Sequence, residues 1–168
     1  PIEPGERTFA TGGPALKVSA EGNELTASSS KVNFVFDKKT GLVSSYKVSG
    51  TEYFKDGFGL QPNFWRAPND NDYGNGNPKR LQVWKQSSKN FNVVDANIVM
   101  DGKDAVLTAN YLLAAGNLYI VTYRISPSGV VKADFTFTST DMEAAKTEAS
   151  EATLMATFTP GSDAARKA

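Results

Sequence analysis

The chain contains no cysteine and no histidine. Together these absences remove disulfides, thiol nucleophiles, Cys/His zinc sites, Ser-His-Asp triads and histidine acid–base catalysis. They say nothing of compartment, because a protein without cysteine is at home in either redox environment. An excess of charge of one sign is lacking too. Lys and Arg total 18, Asp and Glu total 18, and the formal net charge is +0. With no long basic run, the sequence offers no electrostatic face for nucleic acid. No apolar stretch approaches the ~20 residues of a membrane-spanning helix. No Asn-x-Ser/Thr sequon occurs. The first residues, Pro1-Ile2-Glu3-Pro4-Gly5-Glu6-Arg7, include no Met and no signal-peptide core, so the chain is expected to be a processed or excised piece of something longer.

What is present suits one domain with a sizeable core: 168 residues, 40% of them apolar. Residues 1–14 hold Pro1, Pro4, Pro14, Gly5, Gly12 and Gly13 and read as a connector. From residue 15 onward, short alternating runs are separated by turn residues. Ala15–Ala20 and Glu24–Ser28 flank the turn Glu21-Gly22-Asn23. Val32, Phe34 and Phe36 share one face of the next strand. After Asp37-Lys38-Lys39-Thr40-Gly41, the pattern puts Leu42, Tyr46 and Val48 on one face of its partner. Farther on, Val94, Ala96, Ile98 and Met100 alternate, followed by Ala105 to Leu113, Tyr119 to Ile125, Val131 to Phe137, and Leu154 to Phe158. Arg80–Ser88 is the best helical candidate, and Asp141–Ser150 reads as a loose loop or short helix. No helix of 10–15 residues separates consecutive strands. The expected fold is therefore all-β, with antiparallel sheets packed face to face as a β-sandwich.

One stretch breaks the alternation. Phe64-Trp65-Arg66-Ala67-Pro68-Asn69-Asp70-Asn71-Asp72-Tyr73-Gly74-Asn75-Gly76-Asn77-Pro78 joins large aromatics to an Arg, two Asp, four Asn and two Gly. It reads as a long loop pinned at one end by buried aromatics, the kind of segment on which function usually sits. Asp70 and Asp72 admit three readings: side chains that cap backbone amides, oxygen ligands for a hard cation, or a glycosidase carboxylate pair. Arg66, in its aromatic context, is expected to be partly buried and paired with Asp70 or Asp72. Trp65 and Trp84 are either core aromatics or a sugar-stacking platform. Gly74-Asn75-Gly76-Asn77-Pro78 is either a plain flexible turn or a hinge that closes over a ligand.

Residues 64–74 closely resemble the Arg-Ala-Pro-x-Asp-Asn-Asp-x-Gly signature of the bacterial β-galactosidases of glycoside hydrolase family 2. Arg66, Ala67, Pro68, Asp70, Asn71, Asp72 and Gly74 match it. The flanking strands and the turn around Val83-Trp84-Lys85 are similar as well, so the resemblance covers roughly residues 15–160. It implies the C-terminal, small-chain β-sandwich domain, a supersandwich similar to galactose mutarotase, of which this chain would be an incomplete first half. Residues 1–14 would connect it to a preceding immunoglobulin-like domain, and residues 15–168 would be the N-terminal part of the sandwich domain.

In that family the two catalytic Glu residues, and most of the Mg²⁺ and Na⁺ ligands, lie on a separate (β/α)₈ barrel. The resemblance thus implies no catalytic residue, metal ligand or cofactor here, and no activity for the chain alone. It implies one wall of a galactoside pocket, with Tyr73, Gly74, Asn75 and Gly76 shaping the sugar site. Arg66, Asp70, Asn71 and Asp72 would then hold the loop's base. After Gly74 the sequence Asn-Gly-Asn-Pro departs from the family's loops. Two other readings are a free-standing carbohydrate-binding module using Trp65 and Trp84, and a purely structural or oligomer-contact domain. Expected partners are a galactoside, held with the barrel, and a second copy meeting uncovered strand edges; nucleic acid and membrane are not expected.

Overall fold

The computed structural model describes residues 12–54, 56, 59–138 and 151–158. Most of the connector, the whole of Asp141–Ser150 and the polar tail after Phe158 lie outside the described residues. Among the described residues, ten strands form two five-stranded antiparallel sheets. The first runs β1 (Lys17–Glu21), β2 (Glu24–Ser28), β3 (Val32–Asp37), β4 (Leu42–Val48) and β5 (Thr51–Glu52), each strand pairing with the next. The second holds β6 (Asn92–Asp101), β7 (Asp104–Leu112), β8 (Leu118–Ile125), β9 (Val131–Thr138) and β10 (Glu151–Phe158), again in sequence order. This is the all-β antiparallel sandwich that the alternation requires.

The buried face of each sheet is built of cross-strand rows. In the first sheet Leu25, Phe36 and Val43 lie side by side, as do Ala27, Phe34 and Tyr46. In the second, Leu107, Tyr123 and Ala133 make one row, and Ala105, Ile125 and Val131 another. Rows of this kind are the unit of sheet stability, because directly opposed side chains pack on one another. The two faces meet where the Phe34 and Tyr123 rings approach to 5.5 Å.

Two tyrosine hydroxyls also cross between the layers. Tyr111 donates to the Gly41 carbonyl at 2.8 Å, and Tyr46 donates to the carbonyl of Gly129. Buried phenols need such partners. Burial pushes the ionisation of Tyr46, Tyr111, Tyr119 and Tyr123 well above the ordinary phenol range. Gly41 has φ 70°, and a Cβ there would lie 2.8 Å from Val93 and 3.0 Å from the Tyr111 ring. Only glycine provides both that backbone conformation and that clearance.

Two β-bulges correct the face assignments made from alternation. Val35 pairs with Ser45 but Phe36 pairs with Val43, so Ser44 is an extra residue in β4. The bulge resets the phase: Val43, not Leu42, joins Tyr46 and Val48 in the core. In β6, Val93 pairs with Tyr111 and Asp95 with Asn110, leaving Val94 extra. Val94 is accordingly 65% exposed, while Val93, Ala96 and Ile98 pack against the core. Met100 lies opposite Ala105 on the inward side but at the sheet's edge, where it is exposed.

Candidate substrate-pocket segment

The excursion between β5 and β6 starts close to the sandwich. A Cβ on Gly59 would fall 2.2 Å from the Val43 carbonyl oxygen, so the chain runs directly alongside β4. Pro62 is buried. Phe64 then packs its ring against Tyr119 and Phe137, each at 5.5 Å, and against Trp84 at 6.4 Å. Its amide donates to Ser88 Oγ at 2.7 Å, and that hydroxyl donates to the Trp84 carbonyl at 3.0 Å. One serine thereby ties the outgoing strand of the excursion to its return, twenty-four residues later.

Beyond Phe64 the segment is helical where the sequence reads as a loop. Three short helices follow: α1 (Asp70–Gly74), α2 (Asn77–Arg80) and α3 (Gln82–Ser87). The expected helix at Arg80–Ser88 is present as α3, with Arg80 ending α2 before it. The missed turn α1 begins with a capping box. Asn69 Oδ1 accepts from the Asp72 amide at 3.1 Å, and Asp72 Oδ2 accepts from the Asn69 amide at 2.8 Å. An Asn followed three residues later by an acidic side chain was the readable signal for it. Asp70 and Asp72 also sit in the first turn, where negative charge suits the exposed amides.

Arg66 closes this turn from outside. Its guanidinium grips Asp72 with both nitrogens, at 2.6 and 2.9 Å, and also donates to the Ala67 carbonyl at 3.2 Å. The expectation of a partly buried Arg66 is corrected: its side chain is 68% exposed, against 14% for Asp72. Pro62 and Phe64 turn toward the sandwich, but Arg66 lies past the point where the chain leaves it. An ion pair this open contributes little stability of its own. Its two parallel bonds do fix geometry, because the planar fork matches a carboxylate in one orientation. The bonds from Arg66, then those from the Asn69 amide and Asn77, hold the Asp72 carboxyl down at about 2.

The turn's remaining residues point to solvent. Asp70 and Asn71 are exposed, and Tyr73 is 65% exposed. Asn75 caps α1, its amide donating to Asn71 O at 3.1 Å, and the next amide, that of Gly76, donates to Tyr73 O at 3.1 Å. Gly76, at φ 68°, reverses the chain into α2. There Asn77 links the two turns, donating to Asp72 at 3.4 Å and accepting from Arg80 at 2.7 Å. Sequence reasoning did not single out Arg80 or Ser88, and named Asn69 and Asn77 only within the stretch 64–78.

The structure separates the two tryptophans in role. Trp84 packs edge-on against Phe137 at 5.3 Å as well as against Phe64, so part of its surface is already covered. Trp65 is half-buried, with Lys85 Nζ 6.0 Å from its ring centre. A shared stacking platform is not what these contacts describe. Asp72 suits a cation no better, since Arg66, Asn69 and Asn77 already use both of its oxygens. Among the described residues, no group of three Asp, Glu, His or Cys is placed to hold a metal ion. With its carboxyl held ionised to about 2, Asp72 is also unsuited to proton donation near neutrality.

Residues 28–159 match the family model described as "Beta galactosidase small chain". The chain belongs to the β-galactosidase small-chain family. It is 33% identical over 121 residues to a β-galactosidase of Priestia megaterium, covering 71% of this chain and 11% of that protein. It is 30% identical over 101 residues to a β-galactosidase of Kluyveromyces lactis, covering 57% of this chain and 10% of that protein. The small-chain segment thus spans about a tenth of the length of the curated relatives it matches. Its capped and clamped excursion lies wholly inside the family match.

Proposed function

We propose that this domain serves a retaining β-galactosidase as a non-catalytic wall of the galactoside pocket. The reaction needs two carboxyl groups about 5 Å apart across the glycosidic bond, one as nucleophile and one as acid and then base. Asp72 is committed to Arg66, so both groups, and any Mg²⁺ or Na⁺, would come from elsewhere in the enzyme. The contribution of this chain is shape: the turn Tyr73-Gly74-Asn75-Gly76 presents an exposed aromatic and unhindered backbone. Holding such a wall rigid preserves substrate orientation.

The observation that carries this reading is the closed set of bonds among Arg66, Asn69, Asp72 and Asn77. It spends an exposed ion pair, worth little in stability, on fixing one surface turn. The test is a chimera in which this chain replaces the matched segment of the Priestia megaterium enzyme. Arg66→Ala and Tyr73→Ala should raise KM for a nitrophenyl galactoside and leave global folding intact. Unchanged kinetics in both variants would refute the assignment. Titration of the isolated chain with galactose and lactose should give no heat at millimolar sugar; clear binding would favour the carbohydrate-binding-module reading instead. The same proposal leaves strand edges, and the exposed Leu112, Leu118 and Ile120, to be covered in the whole enzyme. The isolated chain should therefore self-associate in sedimentation, and a strict monomer would count against that.

A further inference from the structure

We propose that Asn75 is a site of spontaneous deamidation in the folded protein, converting to aspartate and isoaspartate through a cyclic imide. Asn75-Gly76 is the only Asn-Gly pair in the sequence. Asparagine is a thermolabile residue, and a following glycine presents its backbone nitrogen without the shield of a side chain. In the reaction the Gly76 amide nitrogen loses its proton and bonds to Asn75 Cγ. The Cγ–Nδ2 bond breaks and ammonia leaves, closing a five-membered imide. Water then opens the ring. Cleavage at the side-chain carbonyl restores a normal backbone with aspartate; cleavage at the main-chain carbonyl routes the backbone through the side chain as isoaspartate. The net change is amide plus water to carboxylic acid plus ammonia, with no oxidant or reductant.

The structure leaves this path open. Asn75 and Gly76 are both exposed, and a Cβ built on Gly76 would meet nothing within 4 Å. Asn75 stands at φ −91° and ψ 0°, between α1 and α2 and outside any strand ladder. Ring closure needs ψ to rotate from that value. The bond holding the attacking nitrogen is a single exposed one, from the Gly76 amide to Tyr73 O at 3.1 Å. Other asparagines are held differently. Asn77 precedes Pro78, which has no N–H to give up. Asn110 is locked between β6 and β8, and Asn117 is 1% exposed.

Conversion would add a carboxylate three residues after Asp72, and isoaspartate would lengthen the backbone between α1 and α2. Asn77, two residues on, would then be drawn away from Asp72. The reaction itself does not depend on the pocket assignment above.

The test is to hold the folded chain at mildly alkaline pH and sample it over time. Tryptic peptides are read for the gain of one mass unit and for methyl transfer by an isoaspartyl methyltransferase. A parallel sample is held in urea. Asn75 should convert before any other asparagine, at a rate within about tenfold of the unfolded chain, because little local structure must open. Conversion of another asparagine first, or protection of Asn75 by more than about tenfold on folding, would overturn the proposal. Asn75→Gln should abolish the label in this peptide, and Gly76→Ala should slow it. Thermal unfolding of both variants checks that each is folded, since alanine is strained at the Gly76 φ of 68°. A label that persists in Asn75→Gln would also overturn the assignment.

Discussion

Replacing Tyr111 by Phe removes one hydroxyl and nothing else from the middle of the sandwich. The ring is 2% exposed and stays packed on Phe91 and Tyr119, at 5.8 and 5.6 Å. What is lost is the 2.8 Å bond to the Gly41 carbonyl. Gly41 is itself buried, in a positive-φ turn that cannot readily reorient toward water. A buried acceptor left unsatisfied costs about 1–3 kcal/mol, more than the ~1 kcal/mol net worth of an ordinary bond. For a chain of this size that corresponds to a fall in Tm of roughly 2–12 °C.

Urea unfolding followed by tryptophan fluorescence should show a lower midpoint with an unchanged slope, because the surface buried is the same. Tyr46→Phe is the companion, since its hydroxyl bonds Gly129 at the far end of β4. The length of that strand separates the two bonds by about 20 Å, so their effects should add to within about 0.5 kcal/mol. A Tyr111→Phe midpoint indistinguishable from the parent's would refute the claim that the cross-sheet bond holds the Gly41 turn. A double variant far from the sum would refute their independence.

Three further outcomes are expected. Gly59→Ala should destabilise by about 1–3 kcal/mol, because its Cβ would lie 2.2 Å from the backbone oxygen of Val43; an unchanged urea midpoint would show that the segment is not held against β4. The Asp72 carboxyl carbon should titrate near 2, and Arg66→Ala should move that midpoint up toward the ordinary ~3.9. Because the folded value is depressed, the clamp's contribution is present above ~3.9 and lost as pH falls toward about 2; a midpoint near 3.9 in the parent would dissolve the clamp. Tyr46, Tyr111, Tyr119 and Tyr123 are all held neutral by burial. Their folded values are raised, so stability is full below ~10 and falls as pH rises above it. Urea midpoints that stay level between about pH 9 and 11 would contradict this.

The sequence by itself determined the class of fold, most of the core and the family. A period of two with glycine-rich turns can be satisfied only by antiparallel strands with one buried face. Leu107, Tyr111, Val121, Tyr123 and Ile125 are therefore identified by their spacing alone, and all are buried. The Arg66 to Gly74 signature, whose composition suits neither a strand nor a linker, lies within the family match.

Tertiary structure decided two things that no local signal expresses, and local capping decided a third. The extra residues Ser44 and Val94 belong to strand pairing, which one strand's pattern cannot express, so Val43 and Leu42 exchange faces without any local signal. The helical turn at Asp70–Gly74 is too short for periodicity to reveal, and it exists because Asn69 and Asp72 cap each other and Arg66 grips the result. The exposure of Arg66 depends on where the chain leaves the sandwich, a consequence of Pro62 being buried and of Phe64 packing against Tyr119 and Phe137 of distant strands. Alternation records which face of a strand is dry. Where a segment departs from the core, and what meets it there, is settled by contacts between residues far apart in the chain.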